Sequence, residues 1–155
     1  MSLESALEQL NGLVGREIHT SDWVEVTQAR VDAFADATGD HQWIHVDPVR
    51  AAKESPYGGP IAHGYLTLSL YPMLRGLVDE SRPPLPGVAR VINYGINKLR
   101  FPNAVKVGAR VRARCTLAAV EPVAGGLQTT ESVTIEIENE AKPACVAEVL
   151  MRLYF

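Results

Sequence analysis

Residues 64–78, GYLTLSLYPMLRGLV, form a segment that is apolar on most sides of a predicted helix. No charged residue lies between His63 and Arg75. A helix without a polar face has to be covered by other structure, so we expect this one in the core of the protein. Pro72 lacks the N–H that a helix interior uses, and it predicts a kink in the second half of the helix.

The sequence beyond this helix changes to a period of two, which is typical of half-buried β-strands. Gly125-Gly126 marks a hairpin turn between two of these strands. The predicted strands are residues 88–101, 111–117, 132–138 and 145–154. Helices that precede a run of antiparallel strands indicate an α+β fold. We therefore expect an antiparallel β-sheet wrapped around a long central α-helix.

Another helix is predicted upstream of the apolar one. Thr27 is a favourable N-cap residue, and Val31 and Phe34 then fall on one face at helical spacing. Gly39 stands where a left-handed residue commonly ends a helix. Asp40 is therefore expected as the first residue presented by the turn that follows.

The composition is ordinary for one globular domain covering residues 1–155. The net charge of -3 gives no reason to expect nucleic acid or an anionic membrane as a partner. The N-terminus has no secretion or transit signal, and no apolar run is long enough to cross a bilayer. Cys115 and Cys145 match no metal or CxxC spacing, so we expect reduced thiols in a cytoplasmic protein.

Polar residues concentrate just before the apolar helix, in GDHQWIHVDPVRAAKESPYGGPIAHG, residues 39–64. Asp40 and His45 are five residues apart across a turn, and together they could hold one water molecule or one substrate proton. Histidine suits this exchange because its ordinary pKa is close to neutrality. We expect Trp43 and the preceding helix to bury Asp40 partly. Such a pair would suit hydration, dehydration, isomerisation or hydrolysis, and no GxSxG nucleophile motif is present.

Gly64 adds a third element at the start of the apolar helix. A glycine lets a ligand approach the backbone closely, and the first N–H groups of a helix have no acceptor within it. The Gly64 N–H would therefore stabilise a carbonyl oxygen that becomes negative in a transition state. Asp47-Pro48, in contrast, is interpreted as the N-cap and first residue of a short helix.

Three segments of the chain resemble a known family. FADATGDHQWIHVDPVRAA, residues 34–52, is similar to the hydratase motif of the MaoC-like (R)-specific enoyl-CoA hydratases. GGPIAHGYLTLSL, residues 58–70, is similar to the helix start of that family, and INKLRFPNAVKVGARV, residues 96–111, resembles its next strand pair. The loop sequence is most similar to the NodN-like branch.

The resemblance implies a hotdog fold, a homodimer and reversible addition of water to trans-2-enoyl thioesters. It also implies enoyl-CoA or 3-hydroxyacyl-CoA as the substrate, with no cofactor. Asp40 and His45 fall on the family's catalytic residues, and Gly64 falls on the glycine whose N–H binds the thioester carbonyl. A metal held by Asp40, His41, His45 and His63 is conceivable but not expected, because hydration needs no metal.

Departures from the family pattern concern substrate choice. Gln42 and Trp43 replace the usual Asn-Pro, so Gln42 could order the loop or touch the substrate, and Trp43 would influence which acyl chain fits. Pro72 stands about where some members carry a polar residue on the central helix. His41 is expected at the mouth of the pocket, and His63 is interpreted as a support for the helix start.

Further substrate contacts are expected from residues beyond the motif. Tyr65 follows Gly64 directly and is assigned to the substrate site. Lys98 and Arg100 lie near the expected binding side and could meet the CoA phosphates. Solvated strand faces explain these two cations equally well.

Two alternatives use the same fold. One is a non-catalytic protein that binds acyl thioesters, against which the presence of both Asp40 and His45 argues. The other is a hotdog acyl-CoA thioesterase. That chemistry usually uses a carboxylate on the central helix, and residues 64–78 contain none.

Overall fold

The computed structural model describes residues 2–83 and 85–155, and it confirms the α+β fold. In chain order the elements are α1 (Leu3–Asn11), β1 (Glu17–Thr20), β2 (Val24–Glu25), α2 (Gln28–Thr38), α3 (Trp43–Val46), α4 (Pro48–Glu54), α5 (Gly64–Ser69), α6 (Tyr71–Leu74), β3 (Arg90–Arg100), β4 (Arg110–Val123), β5 (Gly126–Ile137) and β6 (Cys145–Tyr154). Among the described residues no helix combines the length and apolar character needed to cross a membrane.

The strands form one antiparallel sheet in the order β1-β4-β5-β6-β3, and β2 also pairs with β4. All four strands predicted from the period of two are confirmed. The predicted strand 132–138 starts earlier, at Gly126, because the hairpin pairs Gly126 with Val123. β3 pairs only with β6 and lies at the edge of the sheet.

One face of the sheet carries the core. The inward residues of β4 have no exposed surface, as their alternation predicted: Val111, Ala113, Cys115 and Leu117. The inward residues of β5 and β6 continue this apolar surface. It packs against buried side chains of the two central helices, namely Leu66, Leu70, Tyr71 and Leu74. Burial of this apolar area is the main favourable contribution to folding.

The central helix is shorter than predicted over residues 64–78, and it is broken into α5 and α6. The interruption lies at Leu70, two residues before Pro72, because proline has no N–H to donate within a helix. A helical bond resumes from Leu74 N–H to Leu70 O at 2.9 Å. Gly76, with φ of 76°, follows in the left-handed conformation that commonly ends a helix. The predicted long helix was therefore wrong in length but right in position.

The predicted helix caps before the site are confirmed. Thr27 accepts a hydrogen bond from the Arg30 N–H at 3.2 Å, and Gly39 closes α2 with φ of 80°. Asp47 accepts from the Arg50 N–H at 2.9 Å, so its carboxylate caps α4 as expected. These caps fix the end of α2 and the start of α4. The polar segment that contains Asp40 and His45 lies between these two points.

A buried ion pair attaches α6 to the sheet. Glu131 lies on the inward face of β5 and accepts hydrogen bonds from Arg75 at 2.9 and 3.1 Å. The Tyr71 hydroxyl donates to the same carboxylate at 2.8 Å, and burial followed by the Glu131 charge raises the pKa of this phenol. The prediction began this strand at Ser132 and so missed the charged residue at an inward position.

Removing Glu131 should destabilise the protein far more than removing a surface carboxylate. Glu131→Ala leaves the Arg75 guanidinium largely buried without its partner, and we expect a loss of about 3–5 kcal/mol in the free energy of unfolding. Glu136→Ala, which breaks a more exposed pair with Arg112, should cost about 1 kcal/mol or less. Urea unfolding of the three proteins measures both values, and equal losses would contradict the prediction.

Candidate active site

Asp40 leaves α2 through the left-handed turn at Gly39 and is exposed. The expected partial burial by Trp43 was wrong. The ring of Trp43 instead lies against α4, where the Arg50 guanidinium stands 4.4 Å from its centroid. The Asp40 carboxylate accepts the Gln42 N–H at 3.4 Å, so Gln42 helps to order the loop through its backbone.

His45 lies on α3, a short helix that the sequence analysis treated as a turn. Its side chain is only 6% exposed. Nδ1–H donates to the Ile61 carbonyl oxygen at 2.7 Å, since a carbonyl can only accept. This bond fixes the tautomer and leaves Nε2 as the nitrogen that can take up a proton. Gln28 holds the backbone of the same residue by donating to the His45 carbonyl at 2.8 Å.

Burial lowers the pKa of His45. The hydrogen bond to Ile61 opposes this shift, the neighbouring His63 adds to it, and the charge of Asp40 opposes it. The net direction is downward, so the neutral imidazole prevails at neutral pH. A neutral ring that keeps its Nδ1 proton on Ile61 presents a basic lone pair at Nε2.

His63 lies between the two predicted catalytic residues. Its ring stacks on that of His45, with centroids 3.8 Å apart and planes tilted by 29°. Its Nε2–H donates to the backbone carbonyl of Asp40 at 2.9 Å. The His63 side chain makes no capping bond to α5, so it does not support the helix start by capping it. His63 contacts the Asp40 loop and His45 instead.

Asp40, His45 and His63 each place one potential ligand atom within 4.8 Å of the others. This spacing suits the exchange of a proton between a carboxylate and an imidazole through one water molecule. A shared metal ion would need nitrogens of both rings to point at one centre at about 2 Å. One nitrogen of each ring is already hydrogen-bonded to a backbone carbonyl, that of Ile61 for His45 and that of Asp40 for His63.

Gly64 is the first residue of α5, where an N–H has no acceptor within the helix. A methyl group at this position would lie 2.9 Å from Cδ2 of Phe101, closer than carbon atoms approach one another. Phe101 therefore covers Gly64, and only glycine fits beneath it. Tyr65 is largely exposed and meets the Phe101 ring edge-on at 6.0 Å.

A cleft of about 360 Å³ joins His45 to Gly64. Buried Thr67 on α5 and Phe101 after β3 also line it, together with Tyr57 from the loop before α5. The remaining wall mixes polar and apolar groups and includes Ile61, Ala62, Pro102, Asn103 and Val105. Sequence reasoning missed Tyr57, Thr67 and Phe101 as lining residues. Thr67 could have been found from the sequence, because it is one of only two Ser or Thr residues in the apolar segment 64–78.

The other predicted substrate residues contact protein groups. His41 forms an exposed pair with Asp36 at 2.9 Å, and this hydrogen bond raises the pKa of His41. Lys98 pairs with Glu148 at 2.6 Å, and Arg100 donates to the Leu99 carbonyl at 2.7 Å. A role for Lys98 and Arg100 toward the CoA phosphates stays a prediction.

Comparisons with known proteins agree with this geometry. A family model described as a MaoC like domain matches residues 9–140. The chain is 51% identical to 3-hydroxyacyl-thioester dehydratase Z of Mycobacterium tuberculosis over 148 residues, which covers 95% of each protein. It is 44% identical to nodulation protein N of Rhizobium leguminosarum bv. viciae over 153 residues, covering 98% of this chain and 93% of the relative.

A solved structure gives the same result at the level of the fold. The (R)-hydratase from A. caviae involved in PHA biosynthesis superposes with a TM-score of 0.71 and 29% identity, over 90% of this chain and 96% of that one. The predicted hotdog fold and the resemblance to the NodN-like branch are thereby confirmed. The chain belongs to the family of proteins with a MaoC-like domain.

Proposed function

We propose that this chain is an (R)-specific enoyl-CoA hydratase and 3-hydroxyacyl-thioester dehydratase, a hydro-lyase. The observation that carries the proposal is the buried His45 beside the exposed carboxylate of Asp40, with His45 and Gly64 lining the same cleft. The 51% identity to a protein named 3-hydroxyacyl-thioester dehydratase supports the same reaction class.

In the hydration direction, Asp40 and His45 hold one water molecule between them. One of the two takes a proton from the water, and the oxygen forms a bond to C3 of the enoyl group. The electron pair of the C2–C3 double bond moves onto the thioester as an enolate. The proton then passes from the same side of the cleft to C2, which completes syn addition of water.

Gly64 stabilises the enolate. Its N–H, at the start of α5, donates to the thioester oxygen as negative charge develops there. The Phe101 ring packs against the α-carbon of Gly64 next to this bond. The apolar walls formed by Ile61, Ala62 and Val105 suit the hydrocarbon part of an enoyl group.

The proposal includes no metal or other cofactor, since general acid–base groups and a backbone donor account for each step. The stacking of His45 and His63 supports a proton site over a metal site. A cytoplasmic location, consistent with the free buried thiols of Cys115 and Cys145, is part of the same proposal.

Removal of either proton-transfer group should abolish hydration. We expect Asp40→Ala and His45→Ala to lower kcat for crotonyl-CoA by at least about 100-fold, the lower end of the range for loss of a general acid or base. Loss of the enoyl absorbance measures the reaction. Asp47→Ala is the matched control, because it removes only the α4 cap and should lower the melting temperature with kcat kept.

Wild-type inactivity across short and long enoyl-CoAs would overturn the proposal. Release of free CoA thiol from acyl-CoA would instead indicate a thioesterase. Binding of acyl thioesters without either reaction would indicate the non-catalytic alternative.

The pH dependence of kcat/KM should report His45. Its pKa is lowered in the folded protein, and the working form is neutral. Activity is therefore fully present above this pKa and is lost as the pH falls through it. We expect the midpoint of the acid limb below the ordinary histidine pKa, because burial lowers the pKa of His45 more than the hydrogen bond to Ile61 and the charge of Asp40 raise it.

His19→Gln should leave this limb in place, because His19 donates to the Leu74 carbonyl away from the cleft. A midpoint above the ordinary histidine value would contradict the assignment of a neutral His45.

We also propose that the protein is a homodimer that pairs through β3. This edge strand exposes Ile92, Tyr94 and Ile96 by 45%, 54% and 43%. An unpaired edge with apolar side chains is a site for sheet extension, and a two-fold axis can pair β3 with its own copy. Tyr65 and Met73 on the helices beside this strand are also exposed and would extend the interface.

A charge in the middle of this edge should weaken the dimer. Ile96→Lys places an ammonium group in an interface between apolar side chains, and we expect a shift from dimer to monomer in sedimentation velocity. Val49→Lys is the matched control, because Val49 is 69% exposed on α4. A wild-type monomer, or a fully dimeric Ile96→Lys protein, would contradict the proposed interface.

A further inference from the structure

We propose that His63 is a positioning residue, which holds the loop of Asp40 and the ring of His45 in a fixed relation. The inference rests on the proposed function of the Asp40 and His45 pair. It assigns a role to a histidine that takes no proton in that reaction. The geometry carries it in three steps: the bond to Asp40, the stack on His45 and the tautomer of His63 that the bond requires.

The bond from His63 is the shortest hydrogen bond to Asp40 in the described part of the chain, at 2.9 Å. The Asp40 N–H meets Thr38 Oγ1 at 3.5 Å, and its carboxylate meets the Gln42 N–H at 3.4 Å. Both of these contacts are long for hydrogen bonds. The neighbouring His41 is held by Asp36 at 2.9 Å, but within the described structure Asp40 itself has only these two long contacts besides the bond from His63. The donor from His63 is therefore the shortest bond that sets the position of the Asp40 backbone.

The stack on His45 connects the second residue of the pair. The two ring centroids are 3.8 Å apart, and the Phe34 ring lies 5.0 Å from that of His63. His63 is 2% exposed, so these contacts leave it little room to turn. Among the described residues no hydrogen bond joins the side chains of Asp40 and His45. His63 thus contacts both Asp40 and His45, and it fixes the loop after α2 relative to α3.

The tautomer of His63 makes Nε2 its donor. Nε2 must carry a proton, because the Asp40 carbonyl can only accept. Nδ1 is buried and has no hydrogen-bond partner in residues 2–83 and 85–155. The hydrogen bond to Asp40 is therefore the one that holds the ring, which is what a positioning group requires.

Two substitutions separate the effect of the hydrogen bond to Asp40 from the effect of the ring stacked on His45. His63→Phe keeps a flat ring over His45 and leaves the Asp40 carbonyl without its donor. His63→Gln loses the ring but carries an amide N–H that can reach the same carbonyl. A displacement of about 1 Å in a reacting group can cost about 100-fold in rate, so we expect His63→Phe to lower kcat about 10- to 100-fold. His63→Gln should recover kcat to within about fivefold of wild type, the effect of a weakened hydrogen bond.

The kinetic pattern distinguishes positioning from stability and from substrate binding. The KM for crotonyl-CoA should stay within about threefold in both variants, because no substrate contact is lost. In an Asp40→Asn background, His63→Phe should lower the residual kcat by less than about twofold, since residues that act as a unit are not additive. Equal losses in both backgrounds, or a loss confined to KM, would overturn the proposal.

His19 offers a matched control. It also donates Nε2–H to a backbone carbonyl, that of Leu74 at 2.8 Å, but away from the cleft. His19→Phe should lower the melting temperature and keep kcat. If His63→Phe fails to fold, His63→Asn serves in its place, because its shorter amide cannot reach the Asp40 carbonyl. A folded His63→Phe or His63→Asn protein with wild-type kcat would overturn the proposal.

Amide hydrogen exchange separates the failure of this inference from failure of the proposed function. The amides of Asp40, His41 and Gln42 should exchange at least about tenfold faster in His63→Phe than in wild type, because a local hydrogen bond that resists opening is lost. His63→Gln should restore their protection. A wild-type protein without hydratase activity overturns the function alone, and unchanged exchange in a folded His63→Phe overturns the positioning role.

Discussion

The bond from His45 Nδ1–H to the Ile61 carbonyl is the contact on which the arrangement of the site depends. It is paired with a second bond, from the Ile61 N–H to the Ile44 carbonyl at 3.0 Å, so α3 and the chain before α5 are joined twice. The next residue continues inward, since the Ala62 N–H donates to the Val105 carbonyl at 2.8 Å. The backbone of Ile61 and Ala62 therefore fixes the tautomer of His45 and brings Gly64 to the cleft. It also attaches His45 and Gly64 to the loop after β3.

The chemistry of the pair follows from how unequally the two residues are buried. His45 loses solvent and keeps a neutral ring, whereas Asp40 stays in contact with water. A buried imidazole next to an exposed carboxylate is an unequal pair, and unequal surroundings are a general way for two titratable groups to acquire distinct roles, as in the proposed mechanism. The exposed loop is the less constrained half of this arrangement. The stacked ring of His63, which bonds to that loop, compensates for the missing burial.

Sequence reasoning succeeded where signals are local and failed where they depend on contacts between distant segments. The turn at Gly39, the cap at Asp47 and the alternation of β4 follow from backbone and burial preferences of neighbouring residues, and the structure has all three. Two contacts join residues far apart in sequence, Phe101 with Gly64 and Glu131 with Arg75, and no periodic pattern in the sequence predicts them. The predicted length of the central helix was wrong for another reason. The prediction extended the helix along the apolar residues beyond Pro72 and Gly76.

The edge strand connects the outer surface of the protein to its cleft. Between Asn97 and Arg100, β3 contains one residue more than its partner β6, and Lys98 adopts a positive φ of 52° there. An extra residue reverses which face the following side chains occupy, so the bulge determines that Phe101 turns toward Gly64. A side chain such as lysine enters the left-handed region at a cost, which the surrounding pairing has to offset. The pairing of β3 thus bears on the side chain that packs against Gly64, so the proposed dimer interface and the proposed thioester site share this strand.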